Sequence, residues 1–269
     1  NRERIAVTPR GAGTGLSGLA VPARGGIVLD LSHMNRILSI RIEDRLVVVE
    51  PGVINDDLDK ALAPYGFFFP PDPASSKVCT LGGNVAENAG GGKAIKYGVT
   101  NRYVLGLEVV TPTGEIIELG GKLVKDVTGY NLLSLMTGSE GTLGIFTKIT
   151  LKLLPSPKAN VDLLCLFTSA RDAIAAVPRI MTESGIIPTA IEFMDRSSVQ
   201  AGCEYLNETI PYQNAEACLL ITVDGPDEEQ VEREYEAIGE LCLAAGAFEV
   251  YVADNYTTSE RIWKIRRNI

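Results

Sequence analysis

Glycine placement constrains this chain more than any other feature. Of its 27 glycines, 18 fall in three windows, residues 11–26, 82–98 and 120–144. Glycine enters left-handed backbone without steric cost and lets main chain approach a ligand closely. One such cluster reads as a tight turn between short strands. Three in one acidic chain favour a bound molecule that main chain surrounds. The chain is otherwise ordinary: 45% of its 269 residues are hydrophobic and 22% charged, which predicts a folded chain of more than one lobe rather than disorder. The formal net charge of −9 disfavours a sequence-independent nucleic-acid binder, whose field needs the opposite sign. An anion would have to be held by backbone dipoles or a few placed arginines.

Other classes fall away on composition. No run approaches the roughly 18 to 20 apolar residues of a membrane-spanning helix, which leaves only peripheral membrane contact, through a partner, open. Cys79, Cys165, Cys203, Cys218 and Cys242 are scattered and form no CxxC pair. Reduced thiols in a cytoplasmic protein are expected, not a disulfide framework or a zinc site. His33 is the only histidine, which excludes a two-imidazole metal site within these residues and argues against a Ser-His-Asp triad. The chain starts at Asn1 without methionine and stops at Ile269 inside an apparent helix, so both ends read as cut.

Short branched runs bounded by turn residues predict strands at Ile5–Thr8, Ile27–Leu31, Arg45–Glu50, Val104–Thr111, Glu115–Leu119 and Thr147–Leu153. Thr111-Pro-Thr-Gly114 predicts a hairpin, and Ile54–Tyr65 a helix ended by Pro64-Tyr65-Gly66. Pro155-Ser-Pro157 marks a boundary between a domain at 1–154 and another at 158–269. Beyond it, strands at Val161–Thr168, Cys218–Val223 and Phe248–Ala253 alternate with helices at Ala170–Ser184 and Asp227–Ala245. That alternation suits a ferredoxin-like α/β lobe. Thr257-Thr-Ser-Glu260 has capping-box spacing before a helix carrying Trp263 and Arg266.

Gly11-Ala-Gly-Thr-Gly-Leu-Ser-Gly18 follows a strand and offers backbone N–H groups with the Thr14 and Ser17 hydroxyls. Such a concavity can cradle a pyrophosphate without positive charge. Residues Gly13 to Gly18 match GxGxxG, but a dinucleotide fingerprint must open a helix, and Pro22, Gly25 and Gly26 leave no room for one before Ile27. Gly91-Gly-Lys93 is no Walker sequence either. The second window, Pro70-Pro-Asp-Pro-Ala-Ser-Ser-Lys77 followed by Thr80 to Gly92 and Lys96-Tyr-Gly98, reads as stacked phosphate-type loops behind a stiff proline segment. The third is Gly129-Tyr-Asn-Leu132 and Gly138-Ser-Glu-Gly-Thr-Leu-Gly-Ile145.

Together, Pro9 to Gly18, Gly82 to Gly90 and Gly138 to Gly144 resemble the FAD-linked oxidases of the vanillyl-alcohol-oxidase fold. Within these, they resemble the branch of glycolate oxidase catalytic subunits, D-lactate dehydrogenases and D-2-hydroxyglutarate dehydrogenases. The resemblance implies an α+β, two-subdomain FAD-binding (PCMH-type) fold followed by part of a ferredoxin-like cap domain. It implies that Gly11, Ala12, Gly13, Thr14, Gly15 and Ser17 hold the pyrophosphate, with Arg10 beside them among the cofactor-binding residues. Pro71, Asp72, Thr80, Gly82, Gly83, Asn84, Glu87, Asn88 and Gly91 would line the ribityl chain and ring; Tyr97 and Tyr130 either pack on the isoalloxazine or, as is more common, fill core. Glu140, Gly144 and Ile145 would lie toward the adenosine. Ala12 and Thr14 stand where covalently flavinylated relatives often carry histidine, so the FAD is expected to be dissociable.

The resemblance further implies oxidation of a small D-2-hydroxy acid, glycolate or D-lactate, with electrons passing to an iron–sulfur subunit or an electron-transfer flavoprotein. Arg266, in Ile262-Trp-Lys-Ile-Arg266, matches the arginine that binds the substrate carboxylate. The alternative for it is a solvated basic helix face beside Lys264 and Arg267. Lys93, Lys96 and Lys125 are equal candidates for offsetting charge at flavin N1, and for each a solvated surface position is the commoner reading. Relatives carry further α/β structure before Ile5 and continue past Ile269, where a histidine motif binds a divalent metal; that base and metal are expected outside this stretch. A non-catalytic flavin subunit and a synthase of the alkyl-ether-lipid type are the alternative readings.

Overall fold

The computed structural model describes residues 3–253 and 255–269. The backbone divides into two compact units, one of residues up to Gly91 with Gly98–Ser156, the other of Gly92–Tyr97 with Pro157–Ile269. The long division falls between Ser156 and Pro157. A short stretch of the second glycine window, however, belongs with the second unit.

In chain order the elements up to the division are β1 (Val7–Arg10), β2 (Ile27–Asp30), β3 (Ile37–Arg41), β4 (Leu46–Val49), α1 (Asn55–Leu62), β5 (Phe67–Phe68) and α2 (Leu81–Glu87). Then follow α3 (Ala94–Tyr97) of the second unit, β6 (Val104–Val110), β7 (Ile116–Gly120), α4 (Leu132–Met136), β8 (Ile145–Lys152) and β9 (Leu154–Pro155). β1 and β2 pair in parallel from Val7↔Ile27 to Arg10↔Asp30. Parallel neighbours need a crossover, usually a helix; here it is the first glycine window, without helix, as the prolines and glycines require.

The antiparallel sheet has the order β3-β4-β8-β6-β7. Its middle strands supply a core of Leu46, Val47, Val49, Leu107, Val109, Ile149 and Leu151, joined by Leu58 and Leu62 of α1. Phe69 closes that core edge-on to Tyr103, with ring centroids 5.9 Å apart. α1 is shorter than expected, because Ala63-Pro-Tyr65 tighten into a 3-10 turn and Gly66 reverses the chain at φ 70°. β5 pairs with β9, and Thr111–Gly114 turns β6 into β7 as its sequence requires.

The second unit continues with β10 (Ala159–Phe167), α5 (Ala170–Glu183), β11 (Ala190–Asp195), α6 (Arg196–Leu206), β12 (Ala217–Gly225), α7 (Glu228–Ala244), β13 (Ala247–Ala253) and α8 (Tyr256–Arg266). The strand order β11-β12-β10-β13, antiparallel throughout, with α5 and α7 as crossovers, is the ferredoxin-like topology, into which α6 is inserted. α5 and α7 cover one face through Ile180, Ile238 and Cys242 against Phe167, Leu219 and Ile221. α6 and α8 cover the other through Val199, Cys203, Ile262 and Ile265 against Leu164 and Leu220. All nine residues of β12 are therefore buried, and each large apolar side chain so enclosed contributes roughly 1.5–3 kcal/mol. The expected capping box at Thr257–Glu260 does not start α8. Asn255 caps it instead, its side chain accepting from the Thr258 N–H at 3.0 Å, as the stronger N-cap residue should.

Candidate cofactor-binding site

The three glycine windows, far apart in sequence, meet at one cleft of the first unit. It is lined by Pro9 to Gly15, by Thr80, Gly82, Gly83, Asn84 and Glu87, and by Glu140, Gly141 and Gly144 to Phe146. The convergence has identifiable causes in α2. The second window was expected to be loop, but Leu81–Glu87 is a helix, started by Thr80, whose hydroxyl accepts from the Gly83 N–H at 3.2 Å. One end of α2 is fixed from behind: the Gly82 N–H donates to Pro51 C=O at 2.7 Å, and Asn84 Nδ2 to buried Asn55 Oδ1 at 2.8 Å. Gly82 must be glycine there, because a Cβ would lie 2.5 Å from the Pro51 side chain. The other end collects the third window, since Gly138 and Glu140 donate their N–H groups to Val85 and Ala86 carbonyls at 2.9 and 2.8 Å.

The first window closes onto the same helix from the front. A Cβ on Gly11 would lie 2.3 Å from Thr80 Oγ1, and one on Gly15 2.8 Å from Glu87 Oε1. Main chain thus occupies the place where side chains would fill the cleft. The Arg10 guanidinium lies over Gly13, whose φ is 70°. Ser17, beside rather than in the cleft, donates weakly to Glu87 at 3.4 Å. Near the third window, a hydrogen bond from Lys148 and a second from Thr147 hold the Glu108 carboxyl below the usual carboxylate range.

Of the expected cofactor residues, Arg10 to Gly15, Thr80, Gly82, Gly83, Asn84, Glu87, Glu140, Gly144 and Ile145 line the cleft, while Ser17, Pro71, Asp72, Asn88, Gly91 and Tyr97 do not. Three of these have contacts elsewhere in the protein. Asn88 is the left-handed cap of α2 and accepts from the Asn101 N–H at 2.9 Å. Gly91, at φ 138°, passes so close to the Asp72 backbone that a Cβ would lie 1.9 Å from its carbonyl oxygen. Tyr97 belongs to the second unit, where its hydroxyl donates to Asp224 at 2.9 Å. Sequence reasoning missed Pro51, Ser75, Gly141 and Phe146, which also line the cleft. The Pro51-Gly52 turn after β4 was a usable signal; Phe146 had none, being an ordinary core residue of β8.

Arg266 lies in the second unit, on the last turn of α8, in an ion pair with Glu192. Lys96, one of three lysines considered for the flavin, is committed to Asp224 at 2.5 Å, and Lys125 is exposed. Among the described residues no group of three or more His, Cys, Asp or Glu side chains could hold a metal ion. Likewise, no helix among them is long and apolar enough to cross a membrane.

A cleft walled by close-packed main chain, with few ionic side chains, suits a long anionic nucleotide cofactor better than a small charged metabolite. The chain belongs to the FAD-linked oxidases: the family model of the FAD binding domain matches residues 1–120, and that of the FAD-linked oxidase C-terminal domain matches residues 156–269. It is 43% identical over 268 residues to glycolate oxidase subunit GlcD of Bacillus subtilis (strain 168), covering 100% of this chain and 56% of that protein. It is also 43% identical over 271 residues to D-lactate dehydrogenase of Anaerostipes hadrus, covering 99% of this chain and 57% of that one. Among solved structures, an alkyldihydroxyacetonephosphate synthase superposes with a TM-score of 0.79 at 26% identity, over 99% of this chain and 53% of the synthase. The chain thus spans a little over half the length of the relatives it matches.

Proposed function

We propose that this chain is the flavin-binding part of an FAD-dependent enzyme that oxidises a small D-2-hydroxy acid, glycolate or D-lactate, to the 2-oxo acid. The observation that carries this reading is the meeting of three glycine windows at one main-chain cleft, in a chain 43% identical to a glycolate oxidase subunit and to a D-lactate dehydrogenase. Bound FAD would supply the acceptor for the hydride. The chain's own residues do the holding. N–H groups of Gly11 to Gly15, with the Arg10 guanidinium beside them, would hold the diphosphate. Glu87 and Thr80 would offer acceptors suited to hydroxyl-bearing parts of the cofactor, and Glu140, Gly144 and Ile145 would hold the adenosine end. No histidine stands in the first loop, so the cofactor is held without a covalent bond. Arg266 binds the substrate carboxylate, which a planar guanidinium does better than a lysine.

Electron transfer to a partner redox protein is supported by the relatives' naming as subunits. A cytoplasmic site is supported by five free, buried cysteines. A synthase acting on alkyl-ether precursors is the second reading, favoured by the TM-score of 0.79, but its 26% identity is well below the 43% of the hydroxy-acid enzymes. The test is anaerobic addition of D-2-hydroxy acids to the intact yellow protein. Bleaching of the flavin bands by glycolate or D-lactate is expected. A flavoprotein that no such acid bleaches refutes the reading, and a protein that takes up no flavin refutes the cofactor as well. Arg266→Met should raise KM by about 30-fold or more, the cost of losing a charged partner, with flavin content unchanged; equal loss of both would make Arg266 a folding residue.

A further inference from the structure

Arg266 is held side-on by a single carboxylate oxygen. Its Nε and Nη2 both donate to Glu192 Oε2, at 2.9 and 2.6 Å. The pair is partly shielded, with the Arg266 side chain 33% exposed and that of Glu192 18%. Main chain forms a further wall: a Cβ on Gly92 would lie 2.9 Å from Glu192 Oε1 and 3.3 Å from the Trp263 ring. That wall is pinned within the same unit, because Lys96 and Tyr97 both bond Asp224. α8 is fixed as well: Trp263 Nε1 lies 3.2 Å from both Asp162 oxygens, and Ser259 donates to the same carboxylate.

A guanidinium carries five N–H donors in a rigid planar fork. Glu192 occupies the Nε/Nη2 edge, and among the described residues nothing bonds Nη1. The Nη1/Nη2 end is therefore left for a two-point grip on another carboxylate. We propose that Glu192 is the positioning residue of the substrate-carboxylate subsite, locking Arg266 so that its end-on edge is presented to the 2-hydroxy acid. This rests on the reading of Arg266 as the carboxylate binder. Glu192 acts through Arg266 and touches no substrate. Its charge matters less than its oxygen, since a neutral amide oxygen in the same place can accept both N–H groups.

The test uses the intact holoprotein with Glu192→Gln, which keeps shape and acceptor, Glu192→Leu, which keeps bulk alone, and Glu192→Asp, which withdraws the carboxylate by one methylene. One readout needs no substrate: exchange of the Arg266 Nε–H, followed by NMR in protein labelled with 15N-arginine. The other is KM and kcat for glycolate or D-lactate. Exchange at least about tenfold faster, and KM about tenfold higher, are expected in Glu192→Leu, from loss of a charge-assisted bond. Glu192→Gln should stay within about threefold of the parent in both, with kcat and flavin content unchanged throughout. Glu192→Asp should move in the same direction as Glu192→Leu. Parent-like values in Glu192→Asp overturn the proposal even if Glu192→Leu does not fold. A KM that falls in Glu192→Gln overturns it too, making Glu192 a competitor of the substrate. If neither acid bleaches the parent flavin, the functional reading fails, and the exchange readout still decides whether Glu192 positions Arg266.

Discussion

Replacing Asp162 by asparagine exchanges one oxygen for an amide nitrogen in the core of the second unit, and should loosen α8. Asp162 is 1% exposed and accepts from Thr222 Oγ1, Ser259 Oγ and Trp263 Nε1. Two of these donors, Ser259 and Trp263, belong to α8. A hydrogen bond to a charged group is worth about 1.5–3 kcal/mol, against about 0.5–1.5 for a neutral one. Asparagine keeps one acceptor oxygen and turns its N–H2 toward the remaining donors. A hydroxyl can rotate to accept that N–H, but an indole N–H cannot. Counting about 1 kcal/mol for each of the two α8 bonds gives about 2 kcal/mol in local opening, or roughly a thirtyfold larger opening constant. Hydrogen exchange read by mass spectrometry on peptides covering 256–266 measures this directly, with α5 peptides as internal reference. If α8 exchanges within about twofold of the parent while α5 is unchanged, the packing of Ile262 and Ile265 alone holds the helix and the reasoning fails.

Gly11→Ala should cut flavin retention after gel filtration without lowering the thermal stability of the second unit, because its Cβ would lie 2.3 Å from Thr80 Oγ1; full flavin content would refute the closed front wall. Gly91→Ala should be destabilising by about 2 kcal/mol or more, from a Cβ 1.9 Å from the Asp72 carbonyl oxygen and a φ of 138°; an unchanged melting temperature would count against it. Glu50 is held below its ordinary value of 4.5 by its hydrogen bonds from Arg36. Its stabilisation is therefore present above that pH and lost as pH falls. Glu50→Gln should accordingly flatten the acid limb of stability against pH, and a slope equal to the parent's would contradict this. Burial lifts the Cys218 thiol to about 12, and all five cysteines are buried. A thiol reagent near neutral pH should label none of them before unfolding; one fast-reacting thiol among them would refute that.

Strands were legible because branched residues cluster between turn signals, and their observed bounds differ from expectation by a residue or two at most ends. The Ile54–Tyr65 helix was read too long because its last three residues, Ala63 to Tyr65 with Pro64 among them, form a 3-10 turn instead. α2 was read as loop because Gly82 and Gly83 conceal it. Its signal was Thr80, an N-cap followed by Asn84 and Val85, both buried. β3, α4, β11 and α6 escaped notice, being short or mixed in pattern. In the cleft, the glycines were readable because close approach admits nothing larger. Gly91 and Asn88 carry the same local signal and also have a backbone reason for their conformation, and sequence alone does not tell a glycine that meets a ligand from one that meets a carbonyl. Glu192 and Asp162 could not be read at all. A lone acid on a strand gives no hint of a partner 74 residues away, as Arg266 is from Glu192.

The carboxylates enclosed in the second unit and the cleft of the first unit handle charge in opposite ways, which bears on how a chain of net charge −9 can hold an anion. In the second unit each enclosed carboxylate is matched by specific side chains: Asp162 by two hydroxyls and an indole, Asp224 by Lys96 and Tyr97, and Glu192 by Arg266. Truncating one partner there leaves an enclosed polar group without its hydrogen bond, so loss of the bonding atom at such positions is costly. In the first unit the cleft carries one arginine, Arg10, against two acids, Glu87 and Glu140, so net ionic charge cannot be what draws a diphosphate. Backbone N–H groups are left to do it, and they act only if main chain comes close. A substitution adding a single methyl group at Gly11 should therefore harm cofactor binding more than neutralising Arg10. The reverse order, measured as FAD dissociation constants for Gly11→Ala and Arg10→Gln, would mean that a side-chain charge, and not the glycine windows, holds the cofactor.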